Sequence, residues 1–416
     1  MRCIIANGGK KLYGAVEVHS AKNSVLPILA ACILTQGSTV KNVPRISDTD
    51  AAVEILRFLG CGVLYKKDVS VVPAVSLKNE IPLDLMKSMR SSVFFLAPML
   101  CVTGRAKITC PGGCDLGARP IDIHLDGLKS LGAKVIFRTD GSVECLAPNG
   151  LCGCEFTLRL PSVGATETLL MAASTASGKT VLHNAAREPE VCDLAGFLNA
   201  CGADISGIGS DTLVINGKKH LVGCEYTPIP DRIITSTLIC AAAAAGGTVL
   251  AKNAKYSHVE ALADIVKPAG VNVSPKGGGV LISCEKRIKG MGSVATGTYP
   301  GFATDCAPLL AAAALCADGK TVITDTVFEK RFACAEGFAR LGADVRAQDN
   351  TIVINGVSGL YAGNMRAADL RGGAALVIAA LAAKGQSIIT GCSFIDRGYE
   401  NICNMFLKLG ADISYI

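Results

Sequence analysis

Two kinds of helical pattern alternate along the chain. The first is apolar on nearly every side, as in SVLPILAACILT at 24–35 and ALVIAALAA at 375–383, and a helix without a polar face has to be buried. The second has one apolar and one polar side, as in TDAAVEILRFLG at 49–60, which is typical of a helix that packs on a core and faces water. Each kind occurs six times, so the pattern predicts six buried helices and six amphipathic ones.

Glycines recur at a fixed period between these helices. One series ends each amphipathic helix and precedes a strand-like run such as LGADVRA, and its members lie 68 to 72 residues apart, at 60, 132, 202, 270, 342 and 410. A second series precedes another strand-like run, such as DGKTVIT, at 37, 104, 178, 246, 319 and 385. Two markers with one period predict six copies of a unit of about 70 residues. In each copy, the first glycine is expected at the helix C-cap.

The predicted fold is α/β, with the apolar helices inside and the sheets and amphipathic helices outside. Six buried helices with their sheets exceed one ordinary core, so we expect two domains of three units. The Pro-rich segment YTPIPD at 226–231 indicates a boundary near residue 229, and the strands before residue 21 lack a unit of their own. The expected domains are therefore 22–229 and, in two pieces, 1–21 with 230–416.

Composition narrows the possible functions. Aromatic residues make up 5% of the chain and Trp is absent, so small aliphatic side chains must do the packing. The net charge of +6 is spread along the chain without basic patches that contain aromatic residues, which argues against nucleic acid and favours small anionic ligands. The 19 cysteines and five histidines lack the spacing of a disulfide scaffold or a metal site. We expect neither a metal nor a cofactor, and no obligatory protein partner is evident.

No targeting or membrane segment is predicted. The longest apolar run, CAPLLAAAALCA at 306–317, contains a proline and is shorter than the roughly 18 residues that a membrane span requires. The N-terminal sequence MRCIIANGGKKLYG has no long apolar stretch of the kind found in signal peptides. We therefore expect a cytoplasmic protein without membrane contact.

Candidate binding residues lie at the N-terminal ends of the six apolar helices. Free N–H groups and a partial positive charge make such ends ready anion sites, and a Lys or Arg there opposes the helix dipole unless an anion binds. The alternative is that Asp and Ser cap the helices while the cations reach solvent. If the helices of each domain are parallel, these ends converge on a cleft between the domains. The positions are Lys22, Asn23, Arg90, Ser91, Ser162, Gly164, Thr166, Asp231, Arg232, Thr304, Asp305, Asp369 and Arg371.

Further charged residues follow predicted strands, where a cleft wall would be. They are Glu188, Glu329, Arg331 and Arg397, and a solvated surface charge is the alternative for each. Asp305 differs because it stands among apolar residues, where a carboxylate that stays ionised beside cations could act as a general base. The alternative role of Asp305 is an N-cap.

The segment PGGCDLGARPID at 111–122 combines a thiol with a turn. The glycine pair before Cys114 permits a loop that swings, and Pro120 restricts its far end, just before a helical pattern begins. Arg119 could lower the pKa of the Cys114 thiol and direct the sulfur towards an anionic substrate. The alternative is one more cysteine on a surface loop.

Several of these motifs together resemble the UDP-N-acetylglucosamine enolpyruvyl transferases. The resemblance runs through AKNSVLPILAACIL, PGGCDLGARPIDIH, PSVGATET, NAAREPE, DLRGGAALVIAAL and IDRGYE, in this order along nearly the whole chain. It implies a two-domain inside-out α/β barrel with the active site in the cleft. It also implies transfer of the enolpyruvyl group from phosphoenolpyruvate to UDP-N-acetylglucosamine, with release of phosphate, in the first committed step of peptidoglycan synthesis.

The resemblance assigns cations to the anionic groups of phosphoenolpyruvate. Lys22, Arg119 and Arg397 would surround the phosphate, and Arg331 with Arg371 would hold the carboxylate. A site of this kind needs several cations, because the donor carries two anionic groups and the nucleotide adds a diphosphate.

The resemblance also implies the chemical roles. Asn23 would orient the substrates, Asp305 would take the proton of the sugar hydroxyl, and Cys114 would protonate the methylene carbon. Closing of the Cys114 loop would exclude water, and fosfomycin is expected to alkylate this thiol. The remaining substrate-binding positions are Arg90, Arg119, Pro120, Ile121, Asp122, Ile123, Ser162, Val163, Gly164, Glu188, Asp231, Arg232, Thr304, Val327 and Asp369.

One position departs from the family and two other functions stay open. Leu160 stands where some members carry a Lys that faces the nucleotide, so a diphosphate contact depends on the neighbouring Arg159. The first alternative is the sister enzyme that makes 5-enolpyruvylshikimate 3-phosphate, which lacks the thiol loop. The second is a catalytically silent paralogue that binds nucleotide sugar.

Overall fold

The structure is a computed structural model that describes residues 2–109 and 120–416. Its mixed helices and sheets confirm the predicted α/β class. None of the helices in these ranges is long and apolar enough to cross a membrane. In chain order the α-helices are α1 Lys22–Ala31, α2 Ser47–Phe58, α3 Leu83–Ser88, α4 Leu96–Thr103, α5 Asp122–Ser130, α6 Val163–Ser174, α7 Pro189–Ala200, α8 Arg232–Ala245, α9 Glu260–Val266, α10 Ala307–Ala314, α11 Ala335–Arg340, α12 Leu370–Ala382, α13 Cys392–Ile395 and α14 Ile402–Leu407.

Short strands and short segments of 3₁₀-helix occupy the rest of the regular structure. The 3₁₀ segments are Cys32–Leu34, Arg90–Phe95, Tyr256–His258 and Thr304–Cys306. Up to residue 109 the strands are β1 Ile4–Gly8, β2 Leu12–Glu17, β3 Ser38–Val40, β4 Gly62–Tyr65, β5 Val69–Val72 and β6 Arg105–Ile108. After residue 119 they are β7 Lys134–Phe137, β8 Val143–Leu146, β9 Glu155–Thr157, β10 Lys179–His183, β11 Asp204–Ser206, β12 Thr212–Asn216, β13 Glu225–Tyr226, β14 Gly247–Lys252, β15 Asn272–Lys276, β16 Gly279–Cys284, β17 Gly292–Ala295, β18 Lys320–Thr324, β19 Asp344–Gln348, β20 Thr351–Asn355, β21 Asn364–Arg366, β22 Gly385–Thr390 and β23 Asp412–Tyr415.

The described residues divide into two compact units. The terminal unit contains 2–19 and 230–416, and the middle unit contains 20–109 and 120–229. The terminal unit has the sheets β21-β22-β1-β23, β15-β16-β14-β2 and β17-β18-β20-β19, and the middle unit has β13-β3-β5-β4, β11-β12-β10-β9 and β6-β8-β7. Each four-stranded sheet combines one parallel pair with two antiparallel pairs.

The core of the terminal unit is a set of three helices, α8, α10 and α12, that pack on one another. Every residue of α12 from Leu370 to Leu381 is buried, and so is the whole of α10. Alanine dominates both helices, and small side chains let helix axes approach closely. The prediction that these apolar sequences are buried helices is therefore confirmed.

In the middle unit, α1, α4 and α6 are the corresponding apolar helices, and they too are largely buried. One of them is shorter than expected. The run 92–103 begins as the 3₁₀ segment Arg90–Phe95 and becomes α-helical only at Leu96. Pro98 favours an α-helix that begins at Leu96, because proline has no N–H to donate to the carbonyl of Phe94 and is best tolerated in the first turn of an α-helix.

The predicted glycines lie beyond the ends of the amphipathic helices but are not their C-cap residues, which are Leu59, Leu131, Cys201, Lys267, Leu341 and Lys408. The glycines that follow them have φ angles between +83° and +109°, a conformation that favours glycine over residues with a side chain. Glycines inside the amphipathic helices also permit close packing against the central helices. Gly127 of α5 lies against Leu169 of α6, and Gly337 of α11 lies against Leu376 of α12, so neither position has room for a Cβ.

Candidate active site

Asp305 lies at the centre of a charged cluster in the terminal unit. One of its carboxylate oxygens accepts hydrogen bonds from Nε and Nη2 of Arg371, at 3.1 and 2.9 Å, and the other accepts one from Arg331. Asp305 sits in the 3₁₀ turn that precedes α10, and it caps neither that turn nor the helix. The alternative interpretation of Asp305 as an N-cap is therefore wrong, because its oxygens are directed at the two guanidinium groups.

The two arginines control the protonation of Asp305. Burial on its own raises the pKa of this carboxyl group, but the charges of Arg371 and Arg331 outweigh burial and hold the pKa well below its usual range. For Arg371, burial on its own lowers the pKa, because it disfavours the charged form. The charge of Asp305 outweighs burial and raises the pKa of Arg371 above its ordinary value. Asp305 is thus ionised but weakly basic while both arginines are bound to it.

Helix α12 holds Arg371 in place. Asp369 caps the helix, because one of its oxygens accepts hydrogen bonds from the backbone N–H groups of Arg371 and Gly372, at 3.0 and 2.9 Å. Asp369 therefore has the alternative role that the sequence allowed, that of an N-cap residue. The Arg371 side chain does not reach solvent, since the residue is 4% exposed. Burial raises the pKa of the neighbouring Tyr399 to about 12, and its hydroxyl lies 2.7 Å from that of Thr237.

Arg331 is also buried, at 1% exposure, so its interpretation as a solvated surface charge is wrong. Its Nε donates to the carbonyl oxygen of Thr304 at 2.9 Å and lies 3.8 Å from Asp325. Asp325 in turn accepts hydrogen bonds from the hydroxyl group of Thr304 and from the backbone N–H of Val327, the latter at 2.8 Å. Sequence analysis missed Asp325, although an acidic residue directly after strand β18 was an available signal.

Arg232 is the first residue of α8, and Asp231 caps that helix through the N–H groups of Ile233 and Ile234. Arg232 lines a cavity of about 300 Å³ together with His258, which lies in the 3₁₀ turn before α9. Burial lowers the pKa of His258 to about 4, and the charges of Lys255 and Arg232 act in the same direction. The imidazole in this cavity is therefore neutral at pH 7.

In the middle unit, Lys22 forms a buried ion pair. Its Nζ lies 2.6 Å from a carboxylate oxygen of Asp48, and the two side chains are 9% and 3% exposed. Lys22 is the first residue of α1, next to Asn23, and Asp48 lies in the first turn of α2. Sequence analysis identified the lysine but missed Asp48, whose only signal was its position near the start of an amphipathic helix.

The N-terminal ends of α5 and α6 lie together. Ser162 caps α6 by accepting a hydrogen bond from the N–H of Ala165 at 3.3 Å. A Cβ at Gly164 would come within 3.0 Å of Nε2 of His124, so that ring from α5 covers the start of α6. Burial lowers the pKa of His124 to about 4, with a further contribution from the charge of Arg90. The structure thus brings together three of the predicted binding segments, around Arg90, 120–123 and 162–164.

Leu160, the residue at which the sequence departs from the family pattern, is exposed, with 61% of its surface accessible. The adjacent Arg159 forms an ion pair with Asp122 at the start of α5. This pair, helped by the backbone N–H of Ile123, lowers the pKa of Asp122 below its usual value. Arg159 is therefore already engaged near the predicted nucleotide site.

Glu167 is a buried carboxyl group that sequence analysis missed. It lies on α6 and is 1% exposed, and neither of its oxygens has a hydrogen-bond partner in the described ranges. Burial raises its pKa well above the usual value, and the charges of Glu190 and Glu188 raise it further. Glu167 therefore holds its proton to a higher pH than an exposed glutamate does. A single acidic residue within an apolar helical run was the available signal.

Three other predicted site residues lie on different elements of the structure. Glu188 is the N-cap residue of α7, Arg397 follows α13 and is half-buried, and Val327 is 51% exposed. Cys114 and Arg119 lie outside the described residues. Within the described ranges, no group of three or more His, Cys, Asp and Glu side chains is arranged to hold a metal ion.

Comparison with known proteins gives consistent matches over the whole chain. The family profile of EPSP synthase (3-phosphoshikimate 1-carboxyvinyltransferase) matches residues 6–406. UDP-N-acetylglucosamine 1-carboxyvinyltransferase 2 of Caldanaerobacter subterraneus subsp. tengcongensis is 45% identical over 98% of both chains. UDP-N-acetylglucosamine 1-carboxyvinyltransferase of Trichlorobacter lovleyi is 41% identical over 99% of both chains.

Solved structures show the same fold. The enolpyruvyl transferase NikO from Streptomyces tendae superimposes with a TM-score of 0.89 at 26% identity, over 100% of this chain and 98% of NikO. EPSP synthase from Acinetobacter baumannii superimposes with a TM-score of 0.74 at 20% identity, over 100% of both chains. The second likeness concerns the fold alone.

Proposed function

The chain belongs to the EPSP synthase family and, within it, to the UDP-N-acetylglucosamine 1-carboxyvinyltransferases, and from this premise we propose its reaction and the roles of its residues. The enzyme transfers the enolpyruvyl group of phosphoenolpyruvate to the 3′-hydroxyl of UDP-N-acetylglucosamine and releases phosphate. This is the first committed step of peptidoglycan synthesis. We place the enzyme in the cytoplasm, because a reducing compartment suits a chain with many unpaired thiols.

The observation that carries this proposal is the cluster in which Asp305, whose side chain is 27% exposed, meets the buried Arg331 and Arg371. Two guanidinium groups that meet one carboxylate are suited to hold a second carboxylate, that of phosphoenolpyruvate, in the same forked geometry. When the substrate carboxylate occupies the arginines, their hold on Asp305 weakens and its pKa rises towards the ordinary value. Asp305 then accepts the proton of the sugar hydroxyl as the new C–O bond forms.

The phosphate of the donor meets Lys22, Arg119 and Arg397. The Lys22–Asp48 ion pair supports this role, because Asp48 fixes the ammonium group in a buried position where its charge is poorly screened. Asp48 acts as a positioning residue, and Asn23 beside Lys22 orients the substrates. Phosphate leaves from a tetrahedral intermediate, and the cations stabilise its developing charge.

The nucleotide sugar binds along the three segments that meet in the middle unit. Arg90 and the starts of α5 and α6 offer a guanidinium group and the positive ends of two helix dipoles, which are suited to a diphosphate. The residues proposed to contact the nucleotide sugar are those at 120–123 and 162–164 and Val327 of the terminal unit. The other substrate-binding residues of the proposal are Glu188, Asp231, Arg232, Thr304 and Asp369.

Cys114 protonates the methylene carbon and forms an adduct with phosphoenolpyruvate. Its loop closes over the reactants and excludes water from a hydrolysable intermediate. Alkylation by fosfomycin follows from the same role, since the drug is an epoxide that mimics the donor. This part of the proposal rests on the resemblance alone.

We also propose that the six sheets belong to six copies of one unit of about 70 residues, arranged as an inside-out α/β barrel in domains 22–229 and 1–21 with 230–416. Five of the six sheets share a pattern of one parallel and two antiparallel pairs, and the three-stranded sheet has the two antiparallel pairs, which supports this repeat. So do the glycines of both series, because all of them have positive φ angles. Gly127 of the middle unit and Gly337 of the terminal unit each allow an amphipathic helix to contact a central helix, and these matching contacts also support the repeat.

Phosphate release tests the function directly. Purified protein is given phosphoenolpyruvate with UDP-N-acetylglucosamine, with shikimate 3-phosphate, or with no acceptor. We expect release that requires the nucleotide sugar and that falls sharply in Cys114→Ala and Asp305→Asn. Release with shikimate 3-phosphate instead would identify the sister activity, and tight binding of both substrates without release would identify a silent paralogue.

A further inference from the structure

Two thiols outside the proposed active site lie in contact within the middle unit. The sulfur atoms of Cys201 and Cys224 are 3.3 Å apart. Cys201 is the C-cap residue of α7, and Cys224 directly precedes β13. The N–H of Val222 donates to the carbonyl oxygen of Cys201 at 2.8 Å, so the two backbone segments are already joined beside the thiols. A disulfide requires backbones at about this separation, with Cβ atoms roughly 3.5–4.5 Å apart.

The two thiols differ in their access to solvent. Cys201 is fully buried, whereas Cys224 is partly exposed. Burial raises the pKa of the Cys201 thiol to about 12, and the neighbouring Cys224 adds to this effect. Cys201 therefore stays protonated in the reduced protein, and Cys224 is the sulfur that a small oxidant from solvent reaches first.

Strand β3 holds both thiols in register. The hydroxyl oxygen of Ser38 accepts a hydrogen bond from the N–H of Cys224 at 3.3 Å and lies 4.0 Å from the sulfur of Cys201. The N–H of Thr39 donates to the carbonyl oxygen of Cys224 at 2.9 Å. These contacts keep the sulfur atoms facing each other without a covalent bond.

We propose that Cys201 and Cys224 are an oxidation site that forms a reversible disulfide when the protein meets a small peroxide such as hydrogen peroxide. The site is separate from Cys114 and does not depend on the enzymatic activity. It assigns a chemical role to two of the many cysteines for which the reaction has no use.

The reaction proceeds in two steps. The Cys224 sulfur attacks a peroxide oxygen, so an S–O bond forms, the O–O bond breaks, and the released hydroxide takes the thiol proton to become water. The Cys201 sulfur then attacks the sulfenic sulfur of Cys224, so the S–S bond forms and the S–O bond breaks. The second hydroxide leaves as water with the proton of Cys201. Two thiols are oxidised and one peroxide is reduced to two waters.

The disulfide would add a covalent connection between α7 and the segment around β13. Asp193 of α7 already accepts hydrogen bonds from the hydroxyl of Tyr226 at 2.7 Å and from the N–H of Ile229 at 3.0 Å. The new bond would join the opposite end of α7 to β13 and close the segment between Cys201 and Cys224. Closing this loop restricts the unfolded chain, so the oxidised protein should have the higher Tm.

Peptide mapping of the full chain tests the proposal. Protein treated with hydrogen peroxide is alkylated, digested without reductant and analysed by mass spectrometry. We expect a linked peptide pair that contains Cys201 and Cys224, a loss of about 2 Da per bond formed, and recovery of both free thiols with dithiothreitol. The same pair should form in Cys114→Ala, which separates this site from the thiol loop.

Matched variants complete the test. Cys224→Ser should abolish the link, while Cys152→Ser, which removes an exposed cysteine elsewhere in the same unit, should leave it intact. Complete alkylation of Cys201 and Cys224 after peroxide treatment of the wild-type protein would overturn the proposal. So would peroxide-induced links that join these cysteines at random to other thiols.

Discussion

Each unit carries an acidic side chain close to its central helices, and the two are held in opposite ways. Asp305 of the terminal unit is bound by Arg331 and Arg371, and its pKa is lowered. Glu167 of the middle unit has no hydrogen-bond partner in the described part of the chain, and its pKa is raised. Burial raises the pKa of both carboxyl groups, so the difference comes from their charged neighbours, which are two guanidinium groups at Asp305 and the carboxylates of Glu190 and Glu188 near Glu167. An acid buried without a cation holds its proton to a higher pH, whereas an acid between arginines stays charged.

The largest effect is expected from Asp305→Asn. The amide cannot accept the proton of the sugar hydroxyl, and it removes the charge that holds the arginines, so kcat should fall roughly 10²–10⁴-fold. Phosphate release under saturating substrates measures this loss. Asp318→Asn, at an exposed position of the same unit, is the matched control and should keep full activity. A kcat within a factor of about three of the wild type would remove Asp305 from the proposed base role.

Arg371→Lys should have the next largest effect. A lysine keeps the positive charge but cannot make the forked contact that Arg371 makes with one carboxylate oxygen of Asp305. We expect kcat/KM for phosphoenolpyruvate to fall about 10–100-fold, which corresponds to roughly 1.4–2.8 kcal/mol. Steady-state kinetics with the donor varied measures this. The control Arg366→Lys, on an exposed residue of β21, should change nothing, and an equal loss in the control would contradict the assignment.

Glu167→Gln tests the middle unit through the pH dependence of stability. The folded protein keeps the Glu167 proton above the ordinary glutamate pKa of 4.5, whereas the unfolded chain loses it. Wild-type stability should therefore decline as pH rises above that value and towards the raised folded-state pKa, by up to about 1.4 kcal/mol per pH unit. The variant lacks this decline.

Urea unfolding at pH 5 and pH 8 measures the change for wild type and Glu167→Gln. The difference between the two proteins should grow in favour of the variant at the higher pH. Glu400→Gln, on an exposed glutamate, should follow the wild type. Parallel pH profiles for wild type and Glu167→Gln would show that Glu167 is ionised in the folded protein.

The smallest effect is expected from Leu160→Lys. Leu160 is exposed beside Arg159, which is already paired with Asp122. An added ammonium group should strengthen binding of the nucleotide diphosphate, so KM for UDP-N-acetylglucosamine should fall about two- to fivefold at low salt and less at high salt. Val75→Lys adds the same charge at an exposed site of the middle unit and should leave KM unchanged. An unchanged KM in Leu160→Lys would place the diphosphate elsewhere.

Local rules accounted for most of the helices and for the glycines that end them. The apolar run of α12 could only be a buried helix, and its capping residue Asp369 was visible in the sequence as an acid before that run. The segment before Leu96 shows the limit of this reasoning. It is a 3₁₀-helix, and an apolar pattern does not distinguish a 3₁₀-helix from an α-helix. Within the candidate site, Asp305, Arg331 and Arg371 were all identified, and the resemblance grouped the two arginines, but nothing in the sequence joined Asp305 to them.

The sequence by itself determined the elements, because hydrophobic periodicity and glycine turns act over a few residues. Only the tertiary structure decided which charges meet. Asp305 and Arg371 are 66 positions apart, so nothing local distinguishes an N-cap from a carboxylate between two arginines. The same holds for Glu167, since a carboxyl group on an apolar helix can be paired or unpaired, and the packing leaves its oxygens without a hydrogen-bond partner among residues 2–109 and 120–416. The pKa of each group follows from its neighbours in space, and those neighbours come from distant parts of the chain.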